Sequence, residues 1–358
     1  MVVWRSAGAA PAPDARSALG AKALGLLHQA TVHEDPDIRV LALEQWGELG
    51  NRAVIPLLQK ALKDGNRYVR IAAAGSLYQL GDTSGVKVLE AIVSEKPAKG
   101  GATEGLAAME ELRALAKNKI RVAAVRALAH MGSASSLPVL KRAQREEAGS
   151  VRDAATAGLA RMGGEEELSR FLAALDDDDT GVRVEAVRAL GEIATPAVTE
   201  PLQRMAKDPS YQVRAAAMEG LGATLNPAVL PVLAEGAKDQ NDLVRSRAVA
   251  GLGRLQNPGA AGPLRESLGR AGNAFIEMVA IAGLARLGQE VDLGVAQRSL
   301  SQPDADTRVL AVEVLEAVGG PKAVEHLDFA LDDMEMRVRV RAAAALVKLL
   351  GRRAEGPR

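Results

Sequence analysis

The sequence predicts an all-α protein, an α-solenoid of about ten stacked helical hairpins wound into a superhelix, with one insertion in the third repeat. Three observations carry this expectation. The first is a recurring pair, Ile38-Arg39, Val69-Arg70, Ile120-Arg121, Val151-Arg152, Val182-Arg183, Val213-Arg214, Val244-Arg245 and Val338-Arg339, with weaker copies at Ile276-Glu277 and Thr307-Arg308. Its second members step by 31 from 39 to 70, by 51 to 121, by 31 four times to 245, then by 32, 31 and 31 to 339. A period in this range marks an array in which each unit packs only on its neighbours. The second observation lies inside each copy. Val182, Ala186, Leu190 and Ile193 are spaced as one face of a helix with 3.6 residues per turn requires, so they are expected to form its core face. The third is punctuation once per unit. A Gly or Asn closes each inner helix, as at Gly81, Gly132, Asn226 and Asn257, where a left-handed residue satisfies the last carbonyls. Shortly afterwards Pro56, Pro138, Pro201, Pro231 and Pro263 open the next outer helix, where a missing N–H costs least.

Taken in order, residues 1–13 lack helical period and contain Pro11 and Pro13, so a disordered segment is expected there. The array then runs over 14–350, and 351–358 form a disordered tail. Asp14 can cap the first outer helix, and the first inner helix starts near Pro36, with Trp46 in the core slot that Leu holds in other copies. The 51-residue step contains the insertion, about 94–118. It opens with a Pro/Gly loop at Lys96 to Gly105 and regains helical period through Leu106, Met109, Leu112 and Leu115, as a separate helix or as an extension of the inner helix that ends at Met131. In the eighth unit Glu277 replaces the Arg, and Gly269, Gly272 and Gly283 make it a candidate bend.

Composition excludes several classes of function. Lys plus Arg equals Asp plus Glu at 45 each, so no overall field draws the chain to nucleic acid or an anionic membrane. Aromatic residues are 2% of the chain, which argues against base-stacking platforms. Cysteine is absent, which removes disulfides, thiolate nucleophiles and Cys-ligated metals. No apolar run reaches the roughly 18 residues of a membrane span. A cytoplasmic location is expected, with the periplasm as the alternative if an export signal has been removed.

The two-helix unit, the Val-Arg pair, a small residue three further on, Leu at seven and an apolar residue at ten together resemble HEAT repeats, in particular the short 31-residue class of the phycobilin lyases. The resemblance covers Asp14 to about Leu350 and implies an α-solenoid. It also implies a ladder in which an Asp of the inter-helix turn pairs with the Arg of the inner helix. Asp64, Asp177, Asp208, Asp239 and Asp333 stand six residues before Arg70, Arg183, Arg214, Arg245 and Arg339, with Glu146 before Arg152. The ladder is expected to be continuous only from Glu146 to Arg245.

No catalytic triad, P-loop or dinucleotide fingerprint is present. The imidazoles, His28, His33, His130 and His326, are too few for a di-iron centre, and the run Asp176 to Asp179 lacks the closing Glu of a calcium loop, so helix capping explains it better. No metal or cofactor is expected.

The function predicted is a non-enzymatic scaffold that holds a partner protein or acidic peptide along its concave inner-helix face, as a monomer or within a hetero-complex. The residues expected there are Arg126, His130, Arg161, Arg188, Arg247, Arg254, Arg286, Arg341 and Lys348, with Lys96 and Lys99 on the insertion loop. Glu44, Glu48, Glu185 and Glu192 alternate with them, so the face should run from acidic at its start to basic at its end. The alternatives are nucleic-acid binding through local basic patches and bilin handling of the lyase kind.

Overall fold

The computed structural model describes residues 13–95, 104–146, 148–270 and 274–351. Lys96, Lys99 and most of the expected loop at 96–105 lie outside these residues, as do the expected disordered ends except for Pro13 and Gly351, which are helical. Twenty α-helices and no strand occur among the described residues, and they form ten hairpins, each an outer helix followed by an inner one. In order these are α1 (Pro13–Ala30) with α2 (Pro36–Glu48), α3 (Ile55–Ala61) with α4 (Arg67–Gln79), and α5 (Val86–Ser94) with α6 (Glu104–Met131). Then come α7 (Leu137–Ala143) with α8 (Gly149–Arg161), α9 (Glu165–Ala173) with α10 (Thr180–Ile193), and α11 (Thr199–Met205) with α12 (Tyr211–Thr224). The last four are α13 (Leu230–Gly236) with α14 (Asp242–Arg254), α15 (Ala261–Arg270) with α16 (Ala274–Arg286), α17 (Leu293–Ser299) with α18 (Ala305–Val318), and α19 (Gly320–Ala330) with α20 (Met336–Gly351). The insertion extends the inner helix: α6 is one helix of 28 residues. Met109, Leu112 and Leu115 on that extension are exposed.

One kind of punctuation differs from expectation. Glycine ends helices in the left-handed region as predicted, for example Gly81 at φ 80°. Asn226 and Asn257 do not. Both are extended, and their side chains accept the N–H of Ala228 and Gly259 to cap the next 3-10 turn. The left-handed position falls one residue earlier, on Leu225 and Gln256, and likewise on Ala194, at about 1–2 kcal/mol each for a residue with a Cβ.

The chain divides into two compact units, one formed by residues 50–255 and one by residues 1–49 together with 256–358. In the 50–255 unit, successive inner helices pack on one another from α4 to α14. Helices α10, α12 and α14 approach so closely that a Cβ on Gly191 would lie 2.9 Å from the Gly220 Cα, and one on Gly222 would lie 2.7 Å from the Gly251 Cα. Leu128, Leu140, Leu190, Leu202, Val213, Leu221, Leu233 and Leu252 are fully buried between the layers.

The Arg ladder exists, but its partners are not those expected. Arg183 donates from Nη1 to the backbone carbonyls of its own turn, Asp177 at 2.9 Å and Asp178 at 3.1 Å, and from Nε and Nη2 to the Asp208 carboxylate of the following repeat at 2.9 and 3.2 Å. Arg214 does the same with Asp208 and Pro209 carbonyls and the Asp239 carboxylate. Each Asp also caps its own turn, Asp208 accepting the Ser210 N–H and Asp239 that of Asn241, both at 2.8 Å. The Asp208 hydrogen bonds hold the Arg183 guanidinium above its usual range. Burial works against ionisation of Asp239, yet the Arg214 and Asn241 hydrogen bonds bring its carboxyl below the usual range. Arg121 joins adjacent repeats from full burial, bonded to the Val93 carbonyl at 2.8 Å and paired with Glu146. The ladder is not continuous, because Arg152 has no bond to Asp177 and instead lies 3.6 Å from Asp153 on its own helix. The N-cap of α8 is Ala148, which makes no side-chain capping bond.

In the other unit, α16, α18 and α20 stack in turn, and α1 and α2 both pack against α20. A further rung ties Arg308 to Asp333 at 2.8 and 3.0 Å. Arg16 donates to the Leu350 carbonyl at 3.4 Å, and Lys22 bridges Asp328 and Asp332 at 3.4 and 3.2 Å. Trp46 is 1% exposed, a core residue as expected, with its ring 4.8 Å from that of His28. His33 accepts the Asp35 N–H through Nδ1 at 3.1 Å, which makes it a turn cap.

Candidate functional site

Helix α10 starts where the sequence places a run of four aspartates, and three of them have separate structural work. Asp176 pairs with Arg204, Asp177 accepts the Asp179 N–H at 2.8 Å, and Asp179 is the N-cap, accepting the Gly181 N–H at 2.6 Å. Carboxylates there also complement the positive end of the helix. Capping therefore accounts for the run.

From that start α10 should bury Val182, Ala186, Leu190 and Ile193. Three of these are buried, but Val182 is 40% exposed, while Val69, Val151, Val213, Val244 and Val338, at the same position of other repeats, are fully buried. Val184 and Val187 are buried, as are Ala215 and Met218 at the same positions of the next repeat. The opening lies on the α8 side. Where the Arg152 to Asp177 rung is missing, a cleft of about 700 Å³ opens, with Ala154 and Ala157 of α8, Phe171 of α9, and Val182, Ala186 and Ala189 of α10 among its apolar lining. Arg126, Asp153, Asp179, Glu185, Arg188 and Glu192 add its charged groups. A second cleft of about 350 Å³ continues across α10, α12 and α14, lined in part by Arg188, Glu192, Glu219 and Arg254. The two share Arg188 and Glu192.

The sequence-predicted residues fall into two groups. In the 50–255 unit, Arg126 grips Glu192 with two hydrogen bonds, one of 2.9 Å from Nε, and Arg161 donates to the Ile193 carbonyl at 2.8 Å while meeting His130 Nδ1 at 3.2 Å. Arg188 bonds Glu185 at 3.1 Å, and Arg247 lies 3.6 Å from Glu219. Arg254 is exposed and has no ion pair among the described residues. In the other unit, Arg286 pairs with Glu313 at 2.6 Å, Arg341 reaches Glu313 at 3.8 Å and Gln45 at 3.4 Å, and Lys348 pairs with Glu316. Glu44 of that unit is an exposed residue, but partial desolvation of its carboxyl and the neighbouring Glu48 hold it above the usual carboxylate range, with Arg341 opposing. Most of the expected basic residues thus face a carboxylate of a neighbouring turn or repeat, which mutes the expected basic end.

Sequence reasoning missed Phe171, Asp153 and the exposure of Val182. One signal was available for the first: Phe171 is one of three Phe residues in the chain and stands on an outer helix. Among the described residues that line the clefts, Ser150 is the one hydroxyl, and no histidine, lysine or cysteine is present. An apolar floor with charged walls can hold side chains of another molecule.

The stacked helical hairpins define a repeat-built helical array. Residues 23–110, 106–183 and 168–249 match the family described as HEAT repeats. The chain belongs to the HEAT-repeat family. No curated protein matches it. Among solved structures it is similar to an engineered protein, at 17% identity and a TM-score of 0.37 over 92% of this chain and 98% of that one. It is also similar to human deoxyhypusine hydroxylase in complex with glycerol, at 18% identity and a TM-score of 0.34 over 78% and 100%. A third similarity is to the complex of CpcE and CpcF of phycocyanin lyase from Nostoc sp., at 18% identity and a TM-score of 0.38 over 74% and 93%. Among the described residues no helix is long and apolar enough to cross a membrane.

Proposed function

We propose that this HEAT-repeat protein is a non-enzymatic scaffold that holds a segment of a partner protein along the inner-helix face of residues 50–255. The observation that carries the reading is the pair of clefts joined through Arg188 and Glu192. They bring Arg126, Arg188 and Arg254, expected on that face from the sequence, to the edge of exposed apolar surface. An interface needs apolar area at its centre and charge at its rim, and this face supplies both. The existing ion pairs of Arg126, Arg188 and Arg247 weigh against nucleic acid, since phosphate would have to displace a carboxylate from each.

The test is capture from a native lysate by the full chain, repeated with Arg188, Arg247 and Arg254 each changed to Trp, which obstructs the face whatever the charge of the partner. A specific protein retained by the wild type and lost by the triple variant, at unchanged melting temperature, supports the reading. Equal retention by both moves the interface off this face and refutes it.

A further inference from the structure

Three features mark the junction of α8 and α10 as a place where the core of the array is left incomplete. The rung that ties adjacent repeats through Arg183 and Asp208 or Arg214 and Asp239 is absent between Arg152 and Asp177. The outer helix α9 has no fully buried residue, whereas α7, α11 and α13 each bury at least two. Val182 is exposed at a position buried in five other repeats. A cleft of about 700 Å³ left open to solvent exposes apolar surface, whose burial favours a complex once the costs of association are met.

The charge around the cleft decides what fills it. Arg126 and Arg188 are the cations in its lining, and each is already bound to a carboxylate, Glu192 and Glu185. Asp153 and Asp179 bring the lining carboxylates to four against two arginines. Arg152 lies 3.6 Å from Asp153 and still leaves the four lining carboxylates in excess of the arginines around them. The cleft therefore has an acidic end at the start of α10 and an apolar floor beyond it.

We propose that this cleft is the specificity pocket of the scaffold, and that it takes a basic peptide segment in which Lys or Arg flanks one large aliphatic or aromatic anchor. The anchor sits on Val182, Ala186 and Phe171, and the cation meets Asp153 and Asp179. This rests on the partner-binding reading above and reverses the acidic partner expected from the sequence. Complementary charge sets which partner docks and how fast, and the desolvated anchor supplies most of the affinity.

The test is selection of a displayed random peptide library on the full chain, followed by fluorescence anisotropy of the enriched peptides against variants. Val182→Trp fills the cleft from an exposed position, and the pair Asp153→Lys with Glu185→Lys reverses its charge without touching the helix cap. Enriched peptides should be basic around a large apolar residue, should bind more weakly as salt rises, and should lose about tenfold or more in affinity with either variant. Acidic or anchorless peptides, or affinity unchanged in both variants, overturn the proposal. Peptides that lose binding on Arg188→Glu with Arg254→Glu but keep it on Val182→Trp overturn this assignment while sparing the scaffold reading. Failure to enrich any peptide overturns both.

Discussion

Removing Asp239 tests whether the ladder holds the repeats together. In Asp239→Ala, Arg214 loses two charge-assisted hydrogen bonds, of 2.8 and 3.1 Å, and keeps its bonds to the Asp208 and Pro209 carbonyls. The Asn241 N–H loses its cap at 2.8 Å. Stranding one member of a buried pair costs about 3–5 kcal/mol. The side chains here keep 21% and 14% of their surface, and the carbonyls still serve Arg214, so about 2–4 kcal/mol is expected. Asp176→Ala is the control. Its pair with Arg204 is 68% and 52% exposed, and its loss should cost about 1 kcal/mol or less. Urea melts at pH 7 give both values, and Asp239→Asn adds the pH dependence. The folded Asp239 carboxyl titrates below its unfolded value, so its stabilisation is fully present above the unfolded pKa of about 4 and is lost as pH falls through the folded one. The gap between wild type and Asp239→Asn should therefore narrow in strong acid. A cost for Asp239→Ala no larger than that for Asp176→Ala would refute the view that the rungs bind adjacent repeats.

Three further outcomes follow from the packing. Leu190→Ala should cost about 2–5 kcal/mol by denaturant melts, because Leu190 is fully buried, whereas Val182→Ala should cost about 1 kcal/mol or less. Equal costs would mean that the cleft beside Val182 is closed in solution. Glu44 carries the opposite sign from Asp239. Its folded carboxyl titrates above the unfolded one, so its ionisation destabilises the fold at neutral pH and the penalty fades as pH falls through the folded value. Glu44→Gln should accordingly raise the melting temperature at pH 7 and not at pH 4, and a lower value at pH 7 would contradict the assignment. Deleting residues 94–113 restores the 31-residue step and removes exposed Met109 and Leu112, so cooperative unfolding should survive. Loss of a cooperative transition by circular dichroism would place that segment in the core.

The array was legible because a solenoid writes its geometry into the sequence as a period. The wrong ladder partner has the same origin. In a 31-residue repeat, an Asp six residues before its own Arg is also 25 residues after the preceding one, so the offset alone could not separate Asp177 from Asp208 as the partner of Arg183. Three-dimensional reach decides, and the guanidinium spans to the next turn while its own turn supplies carbonyls. Val182 was misread for a related reason. Helical spacing says which face a residue is on, but burial also needs a neighbour at packing distance, and α8 and α10 stand apart where the rung is missing. Arg126, Arg188 and Arg254 could be placed on one face by counting. Their partners could not, since Glu192 lies 66 residues from Arg126.

The packing of α1 and α2 on α20 has a consequence for the order of events during synthesis. An open array normally covers each terminal apolar face with a polar capping repeat. Here the first hairpin and the last shield one another, with Leu27 of α1 and Leu346 of α20 fully buried. The ribosome delivers α1 more than 300 residues before the helix it rests on, so residues 50–255 emerge and can assemble while the first hairpin still waits. Until α20 arrives, α1 has only its hairpin partner α2 to pack on, and a chain cut short before Met336 would leave open the surface of both that α20 covers.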